Sequence, residues 1–152
     1  MIQLELFFSS LIPHPLPEMN SYTDPAIRIV LLPRDTNSQG TIFGGIILSY
    51  IDMAGAVEAH RRTKMERFVT VAMREVIFHQ PVFVGDLVSF YAEVIRIGTT
   101  SITMRVIVEA ERPTGAQGRV RVTEAEVVYV AVDANRKKIK INKETEKPES
   151  EN

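Results

Sequence analysis

The chain has 152 residues and a mass of 17.1 kDa, which fits one domain, and its 45% hydrophobic residues exclude wholesale disorder. Lys and Arg number 18 against 19 Asp and Glu, and the net charge of −1 argues against a nucleic-acid or membrane-surface protein. The absence of cysteine excludes disulfides, thiolate nucleophiles and cysteine-ligated zinc. The histidines, His14, His60 and His79, lie too far apart in sequence to indicate a metal site.

The two ends of the chain differ from its middle. Residues 1–24 predict a poorly ordered leader, because the apolar segment 1–12 lacks the basic region of a secretory signal and three closely spaced prolines follow it. This segment is also too short to span a bilayer. We expect a folded domain over residues 25–134 and a charged, solvated tail over residues 135–152.

One segment has the periodicity of a helix. From Gly44 to about His60, apolar residues recur at helical spacing: Phe43, Ile46, Ile47, Tyr50, Ile51, Ala54 and Val57. The preceding residues 35–45 are rich in Asn, Ser, Gln, Thr and Gly and predict a loop. Asp52 lies off the apolar stripe, on a face whose other members would let another backbone or a ligand approach closely: Leu48, Gly55, Ala56 and Ala59.

The remaining segments have the patterns of strands. They are Ile27–Leu32, Phe68–Phe78, Leu87–Ile97, Ser101–Glu111 and Arg119–Val132. The last of them changes phase near residues 124–126, which indicates a bulge or burial on both faces. One long helix and about five antiparallel strands predict an α+β domain with the helix against one face of the sheet. The uncovered sheet edges favour pairing with a second copy, edge to edge.

Two features of the helix are candidates for chemistry. Gly44 and Gly45 at its start offer backbone N–H groups that polarise a carbonyl or bind an anion, or else they only permit a tight junction between loop and helix. Asp52 is either a general base or an exposed carboxylate without a role. His60 and His79 are interpreted as structural residues, at the end of the helix and of a strand.

The length of the helix constrains how these features combine. Asp52 is eight residues beyond Gly44, a separation of about 12 Å at ~1.5 Å per residue. A base and a carbonyl-polarising amide must meet at one reacting centre, where the reacting atoms lie roughly 3–3.5 Å apart. Two antiparallel helices in a symmetric dimer satisfy this requirement. The spacing therefore predicts a site shared between subunits.

Five motifs resemble those of the hotdog-fold acyl-CoA thioesterases, closest to the YciA-like type. Their order and spacing agree over Ile29–Asp133, about two-thirds of the chain. The motifs are Asp35-Thr36-Asn37-x-x-Gly40-x-x-Phe43-Gly44-Gly45, Ile51-Asp52-x-Ala54-Gly55-Ala56, Phe78-x-x-Pro81-Val82-x-Val84-Gly85-Asp86, Gly98-Thr99-Thr100-Ser101 and Thr123-Glu124-Ala125.

The resemblance implies a hotdog fold, in which a curved antiparallel sheet wraps a long central helix and two copies form one continuous sheet. Such homodimers often assemble further into trimers of dimers, which are homohexamers. The implied reaction is hydrolysis of acyl-CoA to free fatty acid and CoA, with no metal and no cofactor beyond the coenzyme A of the substrate. We accordingly expect a cytoplasmic enzyme of fatty acid metabolism, with no nucleic-acid or membrane partner.

The resemblance also implies roles for single residues. Asp52 matches the catalytic carboxylate, a general base on water, and Asn37 matches the residue that places the thioester or water. Gly44 or Gly45 matches the amide that polarises the carbonyl, and Asn37 and Gly45 are expected to face Asp52 of the partner subunit. Residues expected to contact the pantetheine arm, phosphate or ribose of CoA are Val69, Thr70, Val71, Arg96, Thr99, Thr100 and Ser101. Gln80 departs from the family pattern, which usually has a basic residue there.

Two other functions are compatible with the same fold. A hotdog dehydratase or hydratase uses a histidine with an acid, and the loop over residues 33–45 contains no histidine. A non-catalytic acyl-CoA-binding sensor needs an effector domain, for which 152 residues leave no room. The presence of both Asn37 and Asp52 also favours the thioesterase over the sensor.

Overall fold

The computed structural model describes residues 24–113 and 118–142. All but the last residue of the predicted leader therefore lies outside the described residues. Among the described residues, a 3-10 turn over Pro33–Asp35 ends where the predicted loop before the helix begins. The strands and the helix found in the described residues are, in chain order, β1 (Ile27–Val30), α1 (Gly44–Thr63), β2 (Phe68–Phe78), β3 (Leu87–Ile97), β4 (Ser101–Glu111) and β5 (Arg119–Ala131).

The strands form one antiparallel sheet in the order β1-β3-β4-β5-β2. The helix packs on the three central strands, β3, β4 and β5. The alternation of β4 explains this packing, because every second side chain faces the helix and is fully buried: Ile102, Met104, Val106 and Val108. The predicted α+β arrangement, with a helix against one face of an antiparallel sheet, is confirmed. Its edges are β1 and β2.

The small-residue face of α1 packs against the sheet of its own chain. Gly55 and Ala59 are buried, and the ring of Tyr129 on β5 occupies the space that a Gly55 side chain would fill. Tyr129 also donates a hydrogen bond of 2.6 Å to the backbone carbonyl of Asp52. The close approach that the sequence predicts here is thus made by an aromatic side chain, and it locks α1 onto β5.

Other details of the helix differ from the prediction. It begins at Gly44 as predicted but continues to Thr63, and Lys64 ends it in the left-handed conformation at φ 56°. Val57 is exposed although it belongs to the predicted stripe, and Glu58 is buried instead. Burial of the Glu58 carboxylate is possible because Arg62, four residues later, forms an ion pair with it at 2.7 Å.

The strand ends and the C-terminal boundary also need correction. β1 ends at Val30 and β5 at Ala131, both earlier than predicted. β5 is irregular at two places: its pairing with β2 shifts opposite residues 124–126, as predicted, and its pairing with β4 shifts at Val122, which the sequence does not predict. Within the predicted tail, residues 135–138 are exposed, but Ile141 is buried in the core and its N–H bonds to the Thr99 carbonyl at 2.8 Å. Residues 143–152 of that tail lie outside the described residues. Among the residues that the structure describes, no helix has the length and apolar character needed to cross a bilayer.

The contact between Gly55 and Tyr129 predicts an unusual response to alanine. Alanine for glycine inside a helix is ordinarily stabilising by about 1 kcal/mol. Gly55→Ala should instead lower the free energy of unfolding by about 1–3 kcal/mol, because the new methyl group overlaps the Tyr129 ring. Urea unfolding at fixed protein concentration measures this change. Gly45→Ala is the matched control, because the added methyl meets only the exposed ring of Phe43, which can turn away; equal responses of the two variants would contradict the packing described.

Candidate active site

The side chain of Asp52 is held by β2. Thr70 Oγ1 donates a hydrogen bond of 2.7 Å to Asp52 Oδ1, and the Asp52 side chain is half-buried between helix and strand. Its backbone carbonyl accepts the bond from Tyr129 described above. Burial raises the pKa of the Tyr129 phenol, and the nearby Asp52 carboxylate raises it further, so Tyr129 remains a protonated donor at neutral pH. Both the main chain and the carboxylate of Asp52 are therefore fixed to the sheet.

Asn37 organises the loop that precedes the helix. Its side-chain carbonyl accepts bonds from the N–H groups of Gln39 at 2.9 Å and Thr41 at 3.2 Å. Its amide nitrogen donates to Thr41 Oγ1 at 2.9 Å. The loop is closed at its base, where the Phe43 N–H donates to the Asp35 carbonyl at 2.8 Å. These bonds determine where the loop delivers the first residues of α1.

Gly44 and Gly45 are the first two residues of α1. An α-helix leaves the N–H groups of its first turn without internal acceptors, and no side chain caps this helix at Phe43. These donors therefore lie at the positive end of the helix dipole. A Cβ atom at Gly44 would lie 3.3 Å from the ring of Phe78, so the missing side chain lets Phe78 approach the start of the helix.

A cavity of about 210 Å³ opens beside these residues. It lies between the start of α1 and the neighbouring ends of β2 and β5. Apolar side chains form most of its wall, and the polar side chains of the wall are those of Thr41, Gln80 and Thr123. The lining residues are Thr41, Ile42, Gly44, Ile47, Phe78, Gln80, Pro81, Val82 and Thr123.

The structure keeps the carboxylate and the helix N-terminus apart. Asp52 contacts Thr70, the third residue of β2, whereas Gly44 lies against Phe78, the last residue of that strand. Within the described chain, neither Asn37 nor Gly44 hydrogen-bonds to Asp52. One protomer thus holds two halves of the predicted catalytic set at separate places, as the length of the helix predicts.

Strand β2 is also an open edge of the sheet. Val69 and Val71, on either side of Thr70, are exposed, and Ile77 and Phe78 near its other end are exposed as well. An unpaired edge with apolar side chains is a typical site for strand pairing with another chain. The strand that positions the carboxylate is therefore also a candidate edge for association.

The other residues predicted to contact CoA lie at the turn between β3 and β4. Arg96 is exposed near the end of β3, and Thr99 and Thr100 form the turn before Ser101 begins β4. Ser101 pairs with Val130, which pairs with Val69 on β2. Two strand spacings of ~4.8 Å place this turn roughly 10 Å from β2, at the end of the sheet where Thr70 lies.

The two described histidines have structural surroundings. His79, just after β2, is buried with Nε2 at 3.7 Å from a carboxylate oxygen of Glu124. Burial lowers the pKa of His79, which favours the neutral ring. His60 packs its ring edge-to-face with Phe68. In residues 24–113 and 118–142, no group of three or more His, Asp or Glu side chains is arranged to hold a metal ion.

Two residues of this region are absent from the prediction. The sequence places Tyr129 only in a strand, although a large aromatic residue in a core strand together with a glycine in a helix is a pattern that permits such a contact. Thr123 belongs to one of the motifs but has no predicted role, because the cavity that it lines forms only where α1 packs beside β2 and β5. Thr70, predicted to contact the pantetheine arm, proves to bond the Asp52 carboxylate.

Comparison with known proteins identifies the family. The model of the thioesterase superfamily matches residues 39–117. The chain belongs to this superfamily. The acyl-CoA thioester hydrolase YciA of Salmonella typhimurium is 41% identical over 115 residues, which cover 73% of this chain and 84% of that protein. The resemblance to the YciA-like type is thereby confirmed.

Solved structures of this superfamily have the same architecture. A hexameric hotdog fold thioesterase of Campylobacter jejuni superposes with a TM-score of 0.76 at 44% identity, covering 82% of this chain and 95% of that chain. A hexameric thioesterase from Yersinia pestis gives a TM-score of 0.73 at 38% identity, with coverages of 83% and 98%. The predicted hotdog fold is confirmed.

Proposed function

We propose that this protein is an acyl-CoA thioesterase, which hydrolyses acyl-CoA to the free acid and CoA. The observation that carries the proposal is the Asp52 carboxylate, held by Thr70 in the middle of a helix whose N-terminus offers uncapped glycine amides. The superfamily and the similarity to YciA, a named acyl-CoA thioester hydrolase, support the same reaction and substrate class.

In the proposed reaction, Asp52 accepts a proton from water as the water oxygen attacks the thioester carbonyl carbon. The carbonyl oxygen becomes negative and is stabilised by the N–H groups of Gly44 and Gly45 at the start of the partner's helix. The tetrahedral intermediate then breaks its carbon–sulfur bond, and Asp52 returns the proton to the departing thiolate. Every proton and electron pair is accounted for without a metal or an additional cofactor.

Thr70 is a positioning residue in this scheme. Its hydroxyl proton occupies one lone pair of Asp52 Oδ1, and a carboxylate has about four acceptor sites, so others remain for water. Asn37 is proposed to place the thioester or the water from the loop beside the partner's Asp52. Its side chain already holds that loop in shape, so its loss would also disturb Gly44.

The proposed assembly is a homodimer joined into a continuous sheet, with three dimers forming a hexamer. The unpaired edge of β2, its exposed valines and the hexameric state of the similar structures support it. We place Arg96, Thr99, Thr100 and Ser101 on the CoA side of the site, with Val69 and Val71 beside the pantetheine arm. We propose a cytoplasmic role in fatty acid metabolism, with no nucleic-acid or membrane partner.

Replacing the carboxylate tests the proposed function directly. Asp52→Asn preserves shape and the bond to Thr70 but removes the base, so kcat should fall about 10²- to 10⁴-fold. Release of free thiol from acyl-CoA measures turnover, and calorimetric titration with the same acyl-CoA should show largely unchanged binding. Glu66→Gln, which neutralises an exposed carboxylate after the helix, is the control. An active Asp52→Asn enzyme would overturn the assignment.

The positioning role of Thr70 predicts a different kinetic pattern. Thr70→Val keeps the side-chain shape but removes the hydroxyl, so the carboxylate loses its orientation and kcat should fall about 10- to 100-fold. KM should change little, because no substrate contact is removed by this account. Thr70→Ser restores the hydroxyl and should recover most of the kcat. A loss confined to KM, or equal losses in both variants, would show that Thr70 acts on substrate binding or structure instead.

A further inference from the structure

The cavity beside Gly44 has one polar group that its surroundings leave unused. Thr123 on β5 is 1% exposed, and its hydroxyl has no hydrogen-bond partner among the described residues. It lines the cavity opposite Phe78, its cross-strand neighbour on β2. A buried hydroxyl without a partner costs free energy, and buried polar groups are nearly always bonded.

The other polar side chains of the cavity wall do have partners. Thr41 Oγ1 accepts the bond from Asn37, and Gln80 Oε1 accepts a bond of 3.4 Å from Arg112. The remaining lining residues have apolar side chains, except Gly44, which has none. Among the described side chains of this wall, Thr123 is therefore the one whose polar atom is both buried and without a hydrogen-bond partner.

The position of the cavity identifies which part of the substrate would enter it. This step rests on the proposed function, in which the amides of Gly44 and Gly45 bind the thioester oxygen. Two arms leave the carbonyl carbon: the acyl chain and the pantetheine arm. The pantetheine arm carries two amides and leads to a nucleotide, whereas this cavity is mostly apolar and below the ~300–1,000 Å³ of pockets that hold drug-sized ligands. Its size and lining fit a short acyl chain.

We propose that Thr123 is a specificity-determining residue that hydrogen-bonds a hydroxyl group on the acyl chain. An unsubstituted chain fills the cavity but leaves the Thr123 hydroxyl buried without a partner. The hydroxyl group of a hydroxylated acyl chain loses its hydrogen bond to water on entry and forms one with Thr123 instead. Both hydroxyl groups are then hydrogen-bonded. The favoured substrates are thus short hydroxyacyl-CoA thioesters, and the discrimination comes from the unpaired group that the wrong substrate leaves behind.

The experiment compares hydroxylated and unsubstituted substrates of equal chain length. Thiol release by the full chain is measured with butyryl-CoA, 3-hydroxybutyryl-CoA and 4-hydroxybutyryl-CoA. Two hydroxylated substrates are used because their comparison shows which carbon of the acyl chain places its hydroxyl group best for a hydrogen bond with Thr123. For at least one hydroxylated substrate, the ratio of its kcat/KM to that of butyryl-CoA should be about 10-fold higher in the wild type than in Thr123→Val. Thr123→Ser, which keeps a hydroxyl, should retain most of the wild-type ratio.

The controls separate this inference from the proposed function. Thr103→Val makes the same change on the face of the sheet away from the helix and should leave the ratio unaltered. Equal ratios in wild type and Thr123→Val for both hydroxylated substrates would overturn the inference while leaving thioesterase activity intact. A wild-type preference for butyryl-CoA over both would overturn it even if Thr123→Val failed to fold. No turnover of any acyl-CoA by the wild type would overturn the proposed function and this inference together.

Discussion

The attachment of Asp52 to the sheet is the constraint on which the rest of the site depends. Thr70 holds the carboxylate at 2.7 Å and Tyr129 holds the carbonyl of the same residue at 2.6 Å. The helix therefore cannot slide or rotate to bring Asp52 towards its own N-terminus. About 12 Å of rigid helix separates Gly44 from Asp52, so in the proposed mechanism the amides and the base of one protomer serve different reacting centres.

Strand β2 connects this local chemistry to assembly. Thr70 of this strand donates a hydrogen bond to the Asp52 carboxylate, and Phe78 at its other end lies against Gly44. The strand also has an unpaired edge with exposed valines. In the proposed dimer, pairing at this edge completes the sheet and brings each helix start to the middle of the other helix. In this proposal, association and activity depend on the same strand, and one site is formed only when two copies pair.

The spacing of apolar residues predicts the helix and most strands well, because each of them buries mainly one face. The bounds of β2, β3 and β4 and the start of α1 agree with the prediction, since each has a clear pattern or a glycine-rich boundary. The errors have other causes: Glu58 is buried through its ion pair with Arg62, and the bulge at Val122 depends on pairing with β4. The bond between Thr70 and Asp52 joins residues 18 positions apart in sequence, so no local pattern predicts it.

The shared site is the central claim, and subunit mixing tests it most directly. Asp52→Asn and Asn37→Ala damage different halves of the set, so each homo-oligomer should be nearly inactive. After dissociation and random reassociation of equal amounts, half of the dimers contain one subunit of each kind, and each of these has one intact site. The mixture should recover roughly a quarter of wild-type thiol release. A mixture no more active than the separate variants, with exchange verified by mass spectrometry, would contradict a site built from two subunits.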